Sequence, residues 1–228
     1  MNFAALFSGG KDSTFAISEL IRKGHTLNCL IVIHPVSDES MLFHYPSTRL
    51  LRKISNVLDV PIIEVYCHSF DKETESNQLY SAIEKASYSF PISGVSHGCI
   101  SSNFQLQIID KICRKLNLDV LSPLWHIDSE FYFNQLLKQG FEIIITRVAA
   151  GGLDKYWLGK TIDYSNYLTL RRLSKNFGFN ITFEGGEAET LVLDCPIYKK
   201  RLVVKESSVF WDGVRGIFEI AEVDLIKK

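Results

Sequence analysis

Residues 3–24 read "FAALFSGGKDSTFAISELIRKG". Phe3 to Phe7 form an apolar run of strand length. From Ser13 the pattern changes: Ala16, Ile17, Leu20 and Ile21 share one helical face, and Gly24 is a stop signal. Between the two lies "SGGKDS", residues 8–13. A strand, a glycine loop and a helix in this order open a unit whose next strand lies parallel to the first. In such a sheet ligands gather at the carboxyl ends of the strands, where this loop sits. Its spacing is not that of the Walker A loop, which requires Gly, four residues, then Gly-Lys-Ser/Thr. It still carries the parts of an anion site. Gly9 and Gly10 let the backbone approach closely, and the helix beyond directs its first N–H groups to the same point. Ser8 and Ser13 add hydroxyls, and Lys11 adds positive charge. Asp12 would repel a phosphate, so a bridging magnesium ion is its natural partner. The competing reading is a tight strand-to-helix turn with Ser or Asp as the N-cap.

The alternation continues outward from this unit. "LNCLIVI" (27–33), "PIIEVY" (61–66), "ISGVS" (92–96), "DVLSPLW" (119–125) and "FEIIITRV" (141–148) read as further strands. Helical patterns separate them at 47–60, more weakly at 74–87, and from Ser102, where Phe104, Ile108, Ile109, Ile112 and Leu116 share a face. Another helix, "DSEFYFNQLLKQG" (128–140), has acids in its first turn and a terminal glycine. This order predicts an α/β protein: a parallel sheet with helices on both faces. After Arg147 the chain becomes loop-like, then helical near 165–176, then two-residue alternating from "EGGEAETLVLDCPIYKKRL" (184–202) onward. That predicts a smaller, mixed, largely antiparallel β region. The boundary is set near residue 147, giving domains 1–147 and 148–228.

Bulk properties exclude several classes. The net charge of −1 argues against a broad nucleic-acid footprint. No apolar stretch is long enough to span a membrane, and the N-terminus lacks the basic start of a secretory signal. The 5 cysteines are odd in number and none forms a CxxC pair, which favours a reducing, cytoplasmic setting over a disulfide framework. The histidines lack metal-ligand spacing and read mostly as surface or loop residues. His97 and His126, at predicted strand ends, are the exceptions of interest. Phe131, Tyr132 and Phe133 read as helix packing.

The hexapeptide at 8–13 resembles the signature of the PP-loop ATP pyrophosphatases, of the adenine-nucleotide alpha-hydrolase type. Further segments resemble one branch, the diphthine–ammonia ligases of the diphthamide synthase family. They are "GCISSNFQ" (98–105), "PLW" (123–125), "GLDKYWLGKTID" (152–163) and "EGGEAETLVLDCPIYKKRL" (184–202). Phe104 stands where that family usually has Tyr, and Ala188 where it usually has Phe or Tyr. The resemblance implies ATP and Mg2+ as cofactors, with cleavage of ATP between the α and β phosphates. It implies amidation of the diphthine carboxylate of a translation elongation factor with ammonium, through an acyl-adenylate, releasing AMP and pyrophosphate. It further implies that Ser8, Gly9, Gly10, Lys11, Asp12 and Ser13 hold ATP, with Lys11 and Asp12 catalytic and Asp12 a magnesium ligand. The resemblance also implies that Gly98, Ser101 and Gln105 line the same site, although Ser101 and Ser102 by themselves read equally well as N-caps of the helix that follows.

The acidic segment has its own chemistry. Glu184, Glu187 and Glu189 crowd around Gly185 and Gly186, beside Thr190. A quaternary ammonium has no N–H donor and is held by negative charge and aromatic faces. This segment is therefore the expected substrate-binding site, for the cationic part of the substrate or for ammonium. The competing reading is a solvated glycine turn. Two alternatives stay open for the whole chain: sulfur transfer to transfer RNA, for which Cys99 is the nearest thiol, and non-catalytic nucleotide binding.

Overall fold

The structure, a computed structural model, describes residues 1–35, 48–68 and 71–228. His44 and the first residue of the helix read at 47–60 lie outside the described residues. The chain divides into two compact units, Met1–His126 and Ile127–Lys228.

In the first unit, β1 (Asn2–Leu6) leads into α1 (Lys11–Arg22), followed by β2 (Thr26–His34), α2 (Thr48–Leu58) and β3 (Ile62–Tyr66). Then come α3 (Lys72–Ser89), β4 (Gly94–Ser96), α4 (Asn103–Lys115) and β5 (Asp119–Leu121). The five strands form one sheet in the order β3-β2-β1-β4-β5. Every adjacent pair is parallel. Side chains alternate across the sheet. Ala4, Cys29, Ile31, Ile33 and Val95 point to one face and pack with Leu79, Ala82, Ile83 and Ala86 of α3 and Ile109, Ile112 and Cys113 of α4. The opposite face of β2 meets α1 and α2. Each fully buried Leu or Ile here contributes roughly 1.5–3 kcal/mol of burial.

Two details refine the sequence reading. Helix α1 begins at Lys11 rather than near Ser13, so Lys11 and Asp12 are its first residues. The polar stretch at 74–87 is an 18-residue helix whose apolar positions Leu79, Ala82, Ile83 and Ala86 are all buried. Its polar residues outnumber that stripe, which weakened the pattern.

The second unit holds α5 (Ser129–Lys138), β6 (Glu142–Val148), a 3-10 turn (Lys155–Trp157), α6 (Tyr164–Phe177), β7 (Ala188–Asp194), β8 (Lys200–Trp211) and β9 (Gly216–Lys227). Its sheet has the order β7-β6-β9-β8. The sequence reading placed "FEIIITRV" with the parallel strands. The structure instead pairs β6 with β7, antiparallel, from Glu142↔Asp194 to Val148↔Ala188. Hydrophobic periodicity identifies a strand but not its partner. Accordingly α5 and β6, which begin before the boundary read near residue 147, belong to the second unit. Tyr132 and Phe133 are fully buried, and Phe133 stacks on Tyr167 at 4.8 Å, as helix packing requires, whereas Phe131 is exposed and does not pack. Among the described residues, no helix is long and apolar enough to cross a membrane.

Candidate functional site

The first loop turns on glycine. Gly9 takes a left-handed φ of 76°, and Gly10 becomes the N-cap of α1. Gly10 has no side-chain oxygen to offer the first-turn N–H groups. Asp71, Ser102, Asp128 and Asp163 cap α3, α4, α5 and α6 with such an oxygen. The loop is held from below by hydroxyls. Ser8 N–H donates to Ser13 Oγ at 3.3 Å, the two hydroxyls lie 3.2 Å apart, and Thr14 Oγ1 donates to Gly10 O at 2.8 Å. Lys11 is only 1% exposed, and its ammonium donates to both Asp12 oxygens at 3.0 and 2.8 Å. A buried lysine needs such a counter-charge. Here the Lys11 ammonium is turned onto Asp12.

The strand order makes this a switch point. From β1 the chain runs through β2 to β3, then returns to β4 on the other side of β1. The segments after β1 and β4 therefore leave adjacent strand ends, the place where such sheets bind ligands. Gly98 shows how closely they approach. A Cβ at Gly98 would lie 2.7 Å from Ser13 N and 2.8 Å from Asp12 C, so only glycine fits against the start of α1. The neighbouring residues fix this segment. Ser102 caps α4 by accepting from Gln105 N–H at 3.4 Å. The Cys99 thiol donates to Gln105 Oε1 at 3.2 Å. Ser101 is exposed just before the cap. The Lys72 ammonium sits 4.5 Å from the centre of the Phe104 ring.

Two histidines are buried, and of these His34 departs from the surface reading. His34 is 5% exposed and bonds Glu64 at 3.0 Å. His97 is 2% exposed, and burial pushes its imidazole down to about 4. His126 is exposed, with a left-handed φ of 54°, and its N–H donates to Ile100 O at 2.7 Å.

The acidic segment lies in the second unit. Phe183 and Gly186 have φ of 64° and 80°. The Glu187 carboxylate accepts from Asn180 N–H at 2.9 Å and Gly185 N–H at 2.8 Å, clamping the turn. Glu189 faces Arg147 at 3.5 Å, with both side chains 15% exposed. Charge density here is thus relieved by backbone N–H groups and one arginine. Glu184 and Thr190 are half-buried, while Gly185 and Gly186 are exposed. Ala188 is 5% exposed and paired opposite Val148, so its side chain belongs to the packing. Tyr156 is exposed, with the Lys160 ammonium 4.3 Å from its ring centre.

These residues fit a nucleotide polyphosphate at the first loop: a helix start without a side-chain cap, closed by a glycine where a Cβ would clash. Asp12, at 29% side-chain exposure, is the loop's one carboxylate. Among the described residues no three His, Cys, Asp or Glu side chains group as a metal site. A single carboxylate is a donor set that fits magnesium, which takes one or two carboxylates and fills its octahedron with phosphate and water.

Comparison with known proteins covers both units. The diphthamide synthase N-terminal domain matches residues 1–120, and the diphthamide synthase C-terminal domain matches residues 128–226. A diphthine–ammonia ligase of Mus musculus is 33% identical over 244 residues, 99% of this chain and 91% of that protein. That of Homo sapiens is 31% identical, covering 92% of this chain and 85% of that protein. That of Schizosaccharomyces pombe is 33% identical over 92% of this chain, which spans 37% of the longer relative. A solved structure described as a predicted subunit of tRNA methyltransferase from Methanocaldococcus jannaschii has a TM-score of 0.43 and 18% identity, over 86% of this chain and 98% of that one. The two domain matches, one along each unit, place this chain in the diphthamide synthase family, a family of ligases.

Proposed function

We propose that this chain amidates the carboxylate of diphthine on a translation elongation factor, consuming ATP and ammonium. The observation that carries the reading is the α1 start: a glycine cap, closed over by Gly98 at the β1/β4 switch point, in a chain matched along both units by diphthine–ammonia ligases.

In this reading a diphthine carboxylate oxygen bonds to the α-phosphorus of ATP, and the α–β bridging bond breaks to release pyrophosphate. Ammonia then bonds to the acyl carbon, AMP departs with the former carboxylate oxygen, and ammonia's extra proton passes to solvent. Ser8, Gly9, Gly10 and Ser13 position the departing pyrophosphate with fixed dipoles, the kind of preorganisation that lowers such a barrier most. With ATP bound, Lys11 would turn from Asp12 to the polyphosphate, and Asp12 would hold a magnesium ion. When bound, that ion would reduce repulsion between carboxylate and phosphate. Gly98, Ser101 and Gln105 line the nucleotide. The first domain is thus the ATP-binding part and the C-terminal domain the substrate-binding part. Glu184, Glu187, Glu189 and Thr190, around Gly185 and Gly186, supply the negative field for the trimethylammonium group or for ammonium. Glu187 also keeps that turn closed.

The test is direct. The protein is incubated with ATP, magnesium, ammonium and diphthine-bearing elongation factor. The expected products are AMP, pyrophosphate and a factor whose mass reflects one hydroxyl replaced by an amino group. ATP turnover without that mass change would reject the substrate assignment.

A further inference from the structure

We propose that His97 is a positioning residue for the nucleotide site, holding the segment that begins at Gly98 against the start of α1. Its ring bonds Cys99 and Ser122 rather than Lys11 or Asp12, so it acts through its neighbours. This inference rests on the ATP-binding reading above.

His97 immediately precedes the glycine whose fit against Asp12 and Ser13 is tightest. Both of its ring nitrogens are used. Nδ1 accepts from Cys99 N–H at 3.1 Å. A nitrogen that accepts carries no proton, so the proton of the neutral ring sits on Nε2, which donates to Ser122 Oγ at 2.7 Å. The ring is neutral because it is buried, and neutrality is what the contact requires. An imidazolium would place a donor at Nδ1, against the Cys99 N–H. The imidazole thereby ties the segment leaving β4 to the segment leaving β5. Two backbone contacts reinforce the tie: His97 N–H reaches Leu121 O at 3.4 Å, and His126 N–H reaches Ile100 O at 2.7 Å. Cys99 carries the effect onward, since its thiol holds Gln105. Residues 98, 99 and 105 are therefore placed relative to Ser13 by a ring whose own bonds go to Cys99 and Ser122.

A filler and a positioner respond differently to substitution. His97→Leu keeps the bulk and loses both bonds. His97→Asn keeps an acceptor near the Nδ1 position. His97→Gln keeps a polar group near Nε2 instead. Direct ATP binding to the purified full chain, with magnesium, is measured for all four proteins beside their melting temperatures. Losing the Nδ1 contact to Cys99 N–H predicts about tenfold weaker ATP binding for His97→Leu and His97→Gln, and keeping it predicts binding within about threefold of the parent for His97→Asn. A structural filler would lower the melting temperature of all three variants and leave ATP affinity of the folded protein unchanged. That pattern overturns the inference, as would equal losses in Asn and Leu. A parent chain that binds no ATP overturns both this inference and the ATP reading. A parent that binds ATP while the variants bind equally well overturns this inference alone. A nitrogen-15 correlation spectrum near neutral pH should show the His97 ring protonated on Nε2; the Nδ1 tautomer would contradict the geometry.

Discussion

The turn at 8–13 and the turn at 184–190 are both glycine pairs flanked by charge, yet they dispose of their charges in opposite ways. At 184–190 the acid belongs to the scaffold: Glu187 accepts from Asn180 and Gly185 backbone N–H groups, and Glu189 meets Arg147. At 8–13 the helix start receives no side-chain cap, because Gly10 has none to give. A hydroxyl clasp and the adjacent Lys11–Asp12 pair help organise it. A turn that satisfies its own donors is a stable platform. A helix start that lacks a side-chain cap is suited to an external anion.

The comparison can be broken most severely at Lys11. Lys11→Met retains the buried stem and removes the charge. ATP-dependent AMP formation should fall on the order of 100-fold or more, as when one preorganised donor to the transition state is lost. A loss below about threefold would show that Lys11 only balances Asp12.

Next in size is a pH effect in the first unit. His97 has a folded value of about 4, below its ordinary 6.5. The unfolded chain therefore takes up this proton first. Between pH 6.5 and 4 the unfolded state binds more protons, so stability declines as pH falls through that window. Above it the contribution is complete, and below it nothing further is lost. The shift corresponds to about 3 kcal/mol. Urea midpoints at pH 7 and pH 4.5 should diverge more for the parent than for His97→Leu; equal divergence would contradict it.

Glu187→Ala should cost about 2 kcal/mol of stability, since two backbone donors lose a charged acceptor. The damage should be confined to the second unit, so ATP binding to the first should persist while amidation falls. Parallel loss of ATP binding would merge the two regions functionally. Glu187→Gln sharpens the point by retaining bulk while weakening the clamp; unchanged amidation would remove the acidic segment from the substrate site.

The smallest effect is the most diagnostic. The Gly10 φ of −74° is open to any residue. Gly10→Asp supplies the cap that α3, α4, α5 and α6 already have, and should stabilise the fold by a few tenths of a kcal/mol. It should also weaken ATP binding, by placing a carboxylate where the phosphate belongs. Gain in stability with unchanged ATP affinity would refute the anion-site reading.

Much of this was legible beforehand because it is local. The first strand, the glycine loop, the stop at Gly24 with φ of 84°, and the Ser102 cap all follow from short-range pattern and turn chemistry. What escaped reading involves distant partners. "FEIIITRV" is unmistakably a strand, but its pairing with residues 188–194 depends on chain far downstream. Gly98 was marked by resemblance; the reason for a glycine there is the backbone of Asp12 and Ser13, some 85 residues earlier. The burial of His97 and its bond to Ser122 had no sequence signal beyond its place at a strand end. The three glutamates looked alike in sequence, and only the fold distinguishes Glu187, bonded to backbone, from Glu189, paired with an arginine.

By itself, then, the sequence determined the alternating strands and helices, the phosphate-type loop and the family. Periodicity, helix signals and turn residues are properties of neighbours along the chain. The tertiary structure alone decided which sheet β6 joins, where the units divide, and which charges are already engaged. Those outcomes depend on groups brought together across the fold, where burial and a second partner change what a side chain can do.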